Sequence, residues 1–113
     1  MNDLDNVIVE ILDGEKYIDY SDASEEQMYA VEEVLNEATS RRPHDNMTFS
    51  EHMLKYIDKG YCFLGYDEGI FCSWNKNNTD KKPYSISISD FLKLAGRDVS
   101  NSDVSESEFD SVF

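Results

Sequence analysis

Apolar residues along the chain change period several times, and each change marks an element. Val7-Ile8-Val9-Glu10-Ile11-Leu12 is rich in β-branched side chains, which suit a pleated surface, and predicts a strand. Asp13-Gly14 follows, a pair that supplies the positive φ of a tight hairpin turn, and Lys16-Tyr17-Ile18-Asp19-Tyr20 alternates as the returning strand. Met28, Val31, Val34, Leu35 and Ala38 then recur at helical spacing within one arc of about 120°. They predict an amphipathic helix over about 23–39, with Asp22, Glu25, Glu26, Glu32, Glu33 and Glu37 on its water-facing side. Asp22 with Glu25, or Ser24 with Gln27, has the spacing of a capping box at its start. Ser40-Arg41-Arg42-Pro43 stops it, because proline lacks the N–H a helix needs and disfavours helical geometry just before itself.

Thr48-Phe49-Ser50-Glu51 has the form of a second capping box, opening a helix with Phe49, Met53, Tyr56 and Ile57 inward and Gly60 at its end. Tyr61–Tyr66 and Ile70–Trp74 predict an aromatic hairpin around a three-residue loop, Asp67-Glu68-Gly69. After a polar loop, Tyr84-Ser85-Ile86-Ser87-Ile88-Ser89 alternates strictly and predicts a half-buried strand; Asp90–Ala95 predicts a short helix before Gly96. The predicted order is ββααβββα. It implies an α+β fold in which a small antiparallel sheet of about five strands packs with two main helices. Residues 1–96 are expected to form the single domain, and the sparsely apolar residues 97–113 an acidic flexible tail.

Composition narrows the picture. With 113 residues, 40% of them hydrophobic, the chain suffices for one domain with a modest core. No stretch approaches the roughly 20 apolar residues that span a bilayer. The acidic start Met1-Asn2-Asp3-Leu4-Asp5 lacks the apolar segment of a secretory signal, so a cytoplasmic location is expected and the sequons at Asn46 and Asn77 go unused. Charge changes more. The net charge is −14, and residues 1–40 hold twelve carboxylates against Lys16 alone. Residues 41–97 are nearly balanced, and 98–113 carry five acids and no base. Such a field repels nucleic acid and anionic membranes and draws basic partners.

Catalytic signatures are absent: no Gly-rich phosphate loop, nucleophile elbow or His-Glu-x-x-His. Cys62 and Cys72 fall in predicted core strands, where thiols act as small hydrophobes, so a dyad with His52 is disfavoured. His44-Asp45, beside Pro43, reads as a turn dipeptide, and the sparse Cys and His spacing predicts no metal or other cofactor. A non-enzymatic binding protein is the expectation.

Two features carry that expectation. Asp22, Glu26, Glu33 and Glu37 lie nearly on one line of the acidic helix, spread over roughly 22 Å. Asp13, Glu15 and Asp19 of the expected hairpin, with Glu25 and Glu32, would add to them. In size, composition and charge segregation the chain resembles the phage-encoded DNA-mimic inhibitors of host nucleases, repair enzymes and restriction or CRISPR systems. That resemblance implies a basic nucleic-acid-binding partner, with Asp13, Glu15, Asp19, Asp22, Glu25, Glu26, Glu33 and Glu37 at the contact. The end of the chain, Ser105-Glu106-Ser107-Glu108-Phe109-Asp110-Ser111-Val112-Phe113, resembles the acidic tail tips of single-stranded-DNA-binding proteins, although Val112 stands where a proline is common. It implies an alternative, an accessory protein docking through Phe113, with Glu106, Glu108 and Asp110 steering. Tyr29, Tyr61, Tyr66 and Trp74 are further candidates for an interface.

Overall fold

Both capping boxes form, and they fix the two central helices. The structure, a computed structural model, describes residues 3–97. Ser24 Oγ accepts the Gln27 N–H and the Gln27 side chain accepts the Ser24 N–H, which starts α2, Glu25–Ala38. Thr48 and Glu51 do the same for α3, Phe49–Ile57. Each cap satisfies N–H groups that the first helical turn leaves unpaired.

The first predicted strand is a helix. α1 runs Asp3–Leu12 and buries Val7, Ile8 and Ile11 while Val9 is half exposed. Leu4, Val7, Ile8 and Ile11 stand at i, i+3, i+4 and i+7, so helical spacing outweighs the β-branched preference. Gly14 does take a positive φ of 76°, but as a helix terminator rather than a hairpin turn. The Gly14 N–H bonds the Ile11 carbonyl and the Glu15 N–H bonds the Glu10 carbonyl, the paired closure of a Schellman motif.

The strands are β1 (Tyr17–Asp19), β2 (Tyr61–Asp67), β3 (Ile70–Asn75) and β4 (Ser85–Ser87). The class is α+β, as the sequence implies, but the sheet has four strands and is mixed, in the order β3-β2-β1-β4. β1 pairs antiparallel with β2 and parallel with β4. The β2–β3 turn holds two residues, not three: Asp67 pairs with Ile70, and Glu68 and Gly69 both have positive φ, the geometry of a type I′ turn. The alternating segment after the polar loop divides. Thr79–Tyr84 forms a 3-10 turn, β4 follows, and Ser87 Oγ then caps α4, Ile88–Leu94, by accepting the Asp90 N–H. The α2–α3 loop runs along the free side of β3, where Phe71 accepts from the His44 N–H and donates to the Arg42 carbonyl.

Helices α1, α3 and α4 pack against the strands, and α2 lies on α3 and α4. Ile18, Leu64 and Phe71 from the strands and Tyr20 just after β1 meet Ile11, Val31, Leu35, Phe49, Met53, Phe91 and Leu92 in one core. Each such side chain contributes about 1.5–3 kcal/mol by leaving water. Polar ties lock the helices together: Glu32 of α2 accepts both the N–H and the hydroxyl of Ser50, and Gln27 donates to Ser89 Oγ. The sheet face away from this core carries Tyr17, Asp19, Phe63, Gly65 and Trp74, partly covered by the 3-10 turn. Lys82 reaches Asp19 across it, and Lys81 lies over the Tyr17 and Trp74 rings. Among the described residues no helix is long and apolar enough to cross a membrane.

Candidate functional site

Helix α2 turns its carboxylates outward because its apolar residues occupy the opposite arc. Glu25, Glu26, Tyr29, Glu33, Asn36 and Glu37 are exposed and fall within about 120° of each other at 100° per residue. Tyr29, 50% exposed, stands in the middle of that arc with Glu25 one turn before it and Glu33 one turn after. From Glu25 to Glu37 the face is about 18 Å long. Arg97 closes one end, its guanidinium bonding Glu33 and Glu37. Both ion pairs are solvent-exposed and contribute little to stability. A shallow groove lined by Leu4, Asp5, Ile8, Val34, Glu37 and Arg97 joins this face to α1. Asp5 therefore extends the acidic surface, which a strand in place of α1 had hidden.

The predicted contact residues are divided by the fold. Glu25, Glu26, Glu33 and Glu37 share the α2 face, and Asp22 is exposed just before it. Asp13 and Glu15 lie beyond the far end of α1; Glu15 helps line a separate cleft with Glu10, Tyr17, Asp80, Lys81 and Tyr84. Asp19 is buried and not part of any outer acidic surface. Its carboxylate accepts from Lys82 Nζ at 2.8 Å and from the Ser21 N–H at 3.0 Å. Burial alone would raise this carboxyl, but those bonds outweigh it and hold it below its ordinary value. Glu32, expected on the water-facing side, is spent on Ser50, and the same balance holds its carboxyl low. Phe113, Glu106, Glu108 and Asp110 lie outside the described residues. Of the candidate aromatics, Tyr66 packs against the core and Tyr61 meets Tyr56 edge-on; Trp74 meets Tyr17.

A second constellation was not legible in the sequence. Four polar side chains from four parts of the chain form one line through the interior. Tyr20 O–H donates to Ser73 Oγ at 2.7 Å, Ser73 Oγ lies 2.8 Å from His52 Nε2, and His52 Nδ1 lies 3.2 Å from Asp45 Oδ2. Tyr20 and His52 are fully buried. One proton arrangement satisfies the whole line, with Tyr20 donating to Ser73, Ser73 to Nε2, and Nδ1–H to Asp45. Burial pushes the Tyr20 phenol well up and the His52 imidazole down, although Asp45 opposes the latter shift.

The line has the residue order of an acyl-transfer triad, but Ser73 Oγ is engaged by Tyr20, and His52 is closed beneath the rings of His44 and Tyr56. A nucleophile needs an open approach, which this one lacks. The Cys–His dyad does not form either: both ring nitrogens of His52 face other partners, and burial pushes the thiols of Cys62 and Cys72 up. No family model matches the chain, and neither the curated proteins nor the solved structures contain a match to it.

Proposed function

We propose that this chain is a non-enzymatic acidic binding protein whose α2 face occupies the basic groove of a nucleic-acid-binding protein. In this reading it is a phage or mobile-element inhibitor that mimics DNA and blocks a nuclease, a restriction or CRISPR factor, or a repair factor. The observation that carries the reading is the α2 face: four carboxylates and an exposed tyrosine on one rigid, doubly tied helix. Charge density qualifies the mimicry. Over about 18 Å duplex DNA presents about 11 charges, whereas α2 presents four between Glu25 and Glu37, two of them shared with Arg97. Asp5 and Asp22 narrow the gap. Tyr29 then supplies what charge alone does not, an amphipathic anchor of the kind enriched at interface centres.

The test is an affinity pulldown from a bacterial lysate at low and high salt, with duplex DNA as competitor. The reading expects capture of a basic nucleic-acid-binding protein, release by salt and by DNA, and loss of capture in a variant with Glu25, Glu26, Glu33 and Glu37 changed to Gln. Capture that resists salt and DNA refutes it. If the chain instead docks through Phe113 as an accessory protein, deleting Val112 and Phe113 abolishes capture and the Gln variant retains it.

A further inference from the structure

Two polar residues of the α2–α3 loop, His44 and Asp45, take no part in the acidic face and converge with His52 of α3. His44, Asp45 and His52 each offer one ligand atom, and these atoms all lie within 4.8 Å of one another. His52 Nδ1 and Asp45 Oδ2 are 3.2 Å apart. Around a tetrahedral zinc ion with bonds of about 2.0–2.1 Å, neighbouring ligand atoms stand about 3.3 Å apart. The separation of that pair matches one edge of such a shell, with the ion replacing the hydrogen bond between them.

The surroundings hold the ligands as a metal site requires. A ligating imidazole is fixed by a bond from its other nitrogen to an oxygen, and here Nε2 faces Ser73 Oγ at 2.8 Å. Metal binding at Nδ1 moves the ring proton to Nε2, which then donates to Ser73 Oγ; the hydroxyl has lone pairs for both His52 and Tyr20, while its own proton gives up Nε2 as acceptor. Asp45 is pinned through its other oxygen, Oδ1, which accepts the Met47 N–H at 3.3 Å. The main chain at His44 is tied to β3 through its N–H, while its ring is exposed and stands edge-on to His52 with centroids 5.6 Å apart.

We propose that His44, Asp45 and His52 bind a divalent transition-metal ion, with zinc as the representative. The ligands are His52 Nδ1, one Asp45 oxygen and a ring nitrogen of His44. Two imidazoles and one carboxylate favour ions of this kind over magnesium and calcium, which prefer oxygen alone. Three protein ligands leave the fourth position of a tetrahedral ion to water. The site is separate from the α2 face and does not depend on the reading of that face.

The test is titration of the EDTA-treated full-length protein with zinc chloride, followed by calorimetry and by competition with a chromogenic chelator. The expected result is one saturable site per chain, with a dissociation constant in the micromolar range or tighter, that millimolar magnesium does not displace. His44→Ala should weaken zinc by at least about tenfold, and zinc should raise its melting temperature, measured against its own metal-free value because the ring also packs on His52, by much less than it raises that of the wild type. Asp45→Asn should weaken it comparably while keeping a hydrogen-bonding group. In the metal-free protein Co²⁺ should give the visible bands of a low-coordinate site, absent in His44→Ala. Because the chain has 24 acidic residues, loose cation binding must be separated from the site. Zinc binding that is equal in wild type and His44→Ala, or no saturation up to about 100 µM, overturns the proposal.

Discussion

Replacing Gly65 with alanine probes how the outer face of the sheet is assembled. Gly65 lies opposite Cys72 in the β2–β3 pairing. A Cβ at Gly65 would stand 2.5 and 2.9 Å from Tyr17 Cδ1 and Cε1 and 3.0 Å from Trp74 Cζ3. Carbon atoms pack at about 3.5–4.0 Å, so the Tyr17 ring must retreat by roughly 1 Å. Tyr17 is also half of an edge-on pair with Trp74, centroids 5.2 Å apart, and Lys81 Nζ lies 5.3 and 5.4 Å from the two ring centres. Overpacking costs about 1–3 kcal/mol and loss of the aromatic pair about 0.5–1.5 kcal/mol. Alanine returns about 0.5–1 kcal/mol through its smaller backbone entropy loss. The net loss is about 1–3 kcal/mol, and each kcal/mol lowers the melting temperature of a domain this size by about 4–8 °C. Urea denaturation followed by fluorescence reads it directly, because Trp74 is the single tryptophan and sits at the perturbed contact. In a Tyr17→Ala background the two closest contacts are gone and only Trp74 Cζ3 at 3.0 Å remains, so Gly65→Ala should cost clearly less than in the wild type. An equal loss in both backgrounds refutes the steric account.

Other outcomes follow from the same geometry. Ile11→Ala should cost about 2–5 kcal/mol in denaturation experiments, whereas Val9→Ala, on the exposed side of α1, should change stability by less than about 0.5 kcal/mol. A strand would put both on one face and make both costly. Asp19 and Glu32 have carboxyls held below their ordinary values, so the unfolded chain binds protons that the folded chain refuses. Their stabilising contribution is present above the unfolded values and is lost as pH falls through the folded ones, below about pH 4. The stability gap between wild type and Asp19→Asn should therefore shrink on acidification, and a gap independent of pH refutes the assignment.

What the sequence makes legible is local. α2, α3 and the β2–β3 hairpin are readable because caps, periodicity and turn residues agree within a few positions. α1 is misread because Val7, Ile8, Val9 and Ile11 favour a strand individually while their spacing fits a helix, and Asp13-Gly14 serves either a hairpin or a helix end. The Ser85–Ser89 alternation divides because Ser87 ends β4 and caps α4 at once. The acidic face is legible in part: Glu25, Glu26, Glu33 and Glu37 follow from helical spacing. The burial of Asp19 does not, because its partner Lys82 is 63 residues away. The Tyr20–Ser73–His52–Asp45 line is hidden for the same reason, since Tyr20 and Ser73 are 53 residues apart and carry no shared local pattern.

The pairing of the α2–α3 loop with β3 bears on self-assembly. β3 reads Ile-Phe-Cys-Ser-Trp-Asn and lies at the edge of the sheet, with Ile70 42% exposed. An apolar edge strand with unpaired N–H and C=O groups is a template for another chain to add to. Here both backbone groups of Phe71 are already taken by Arg42 and His44, and Pro43 between them brings no N–H of its own. The opposite edge, β4, is only three residues long. The loop that brings His44 and Asp45 to His52 is thus also a guard against fibre growth. Loosening it would open the longer of the sheet's two edge strands.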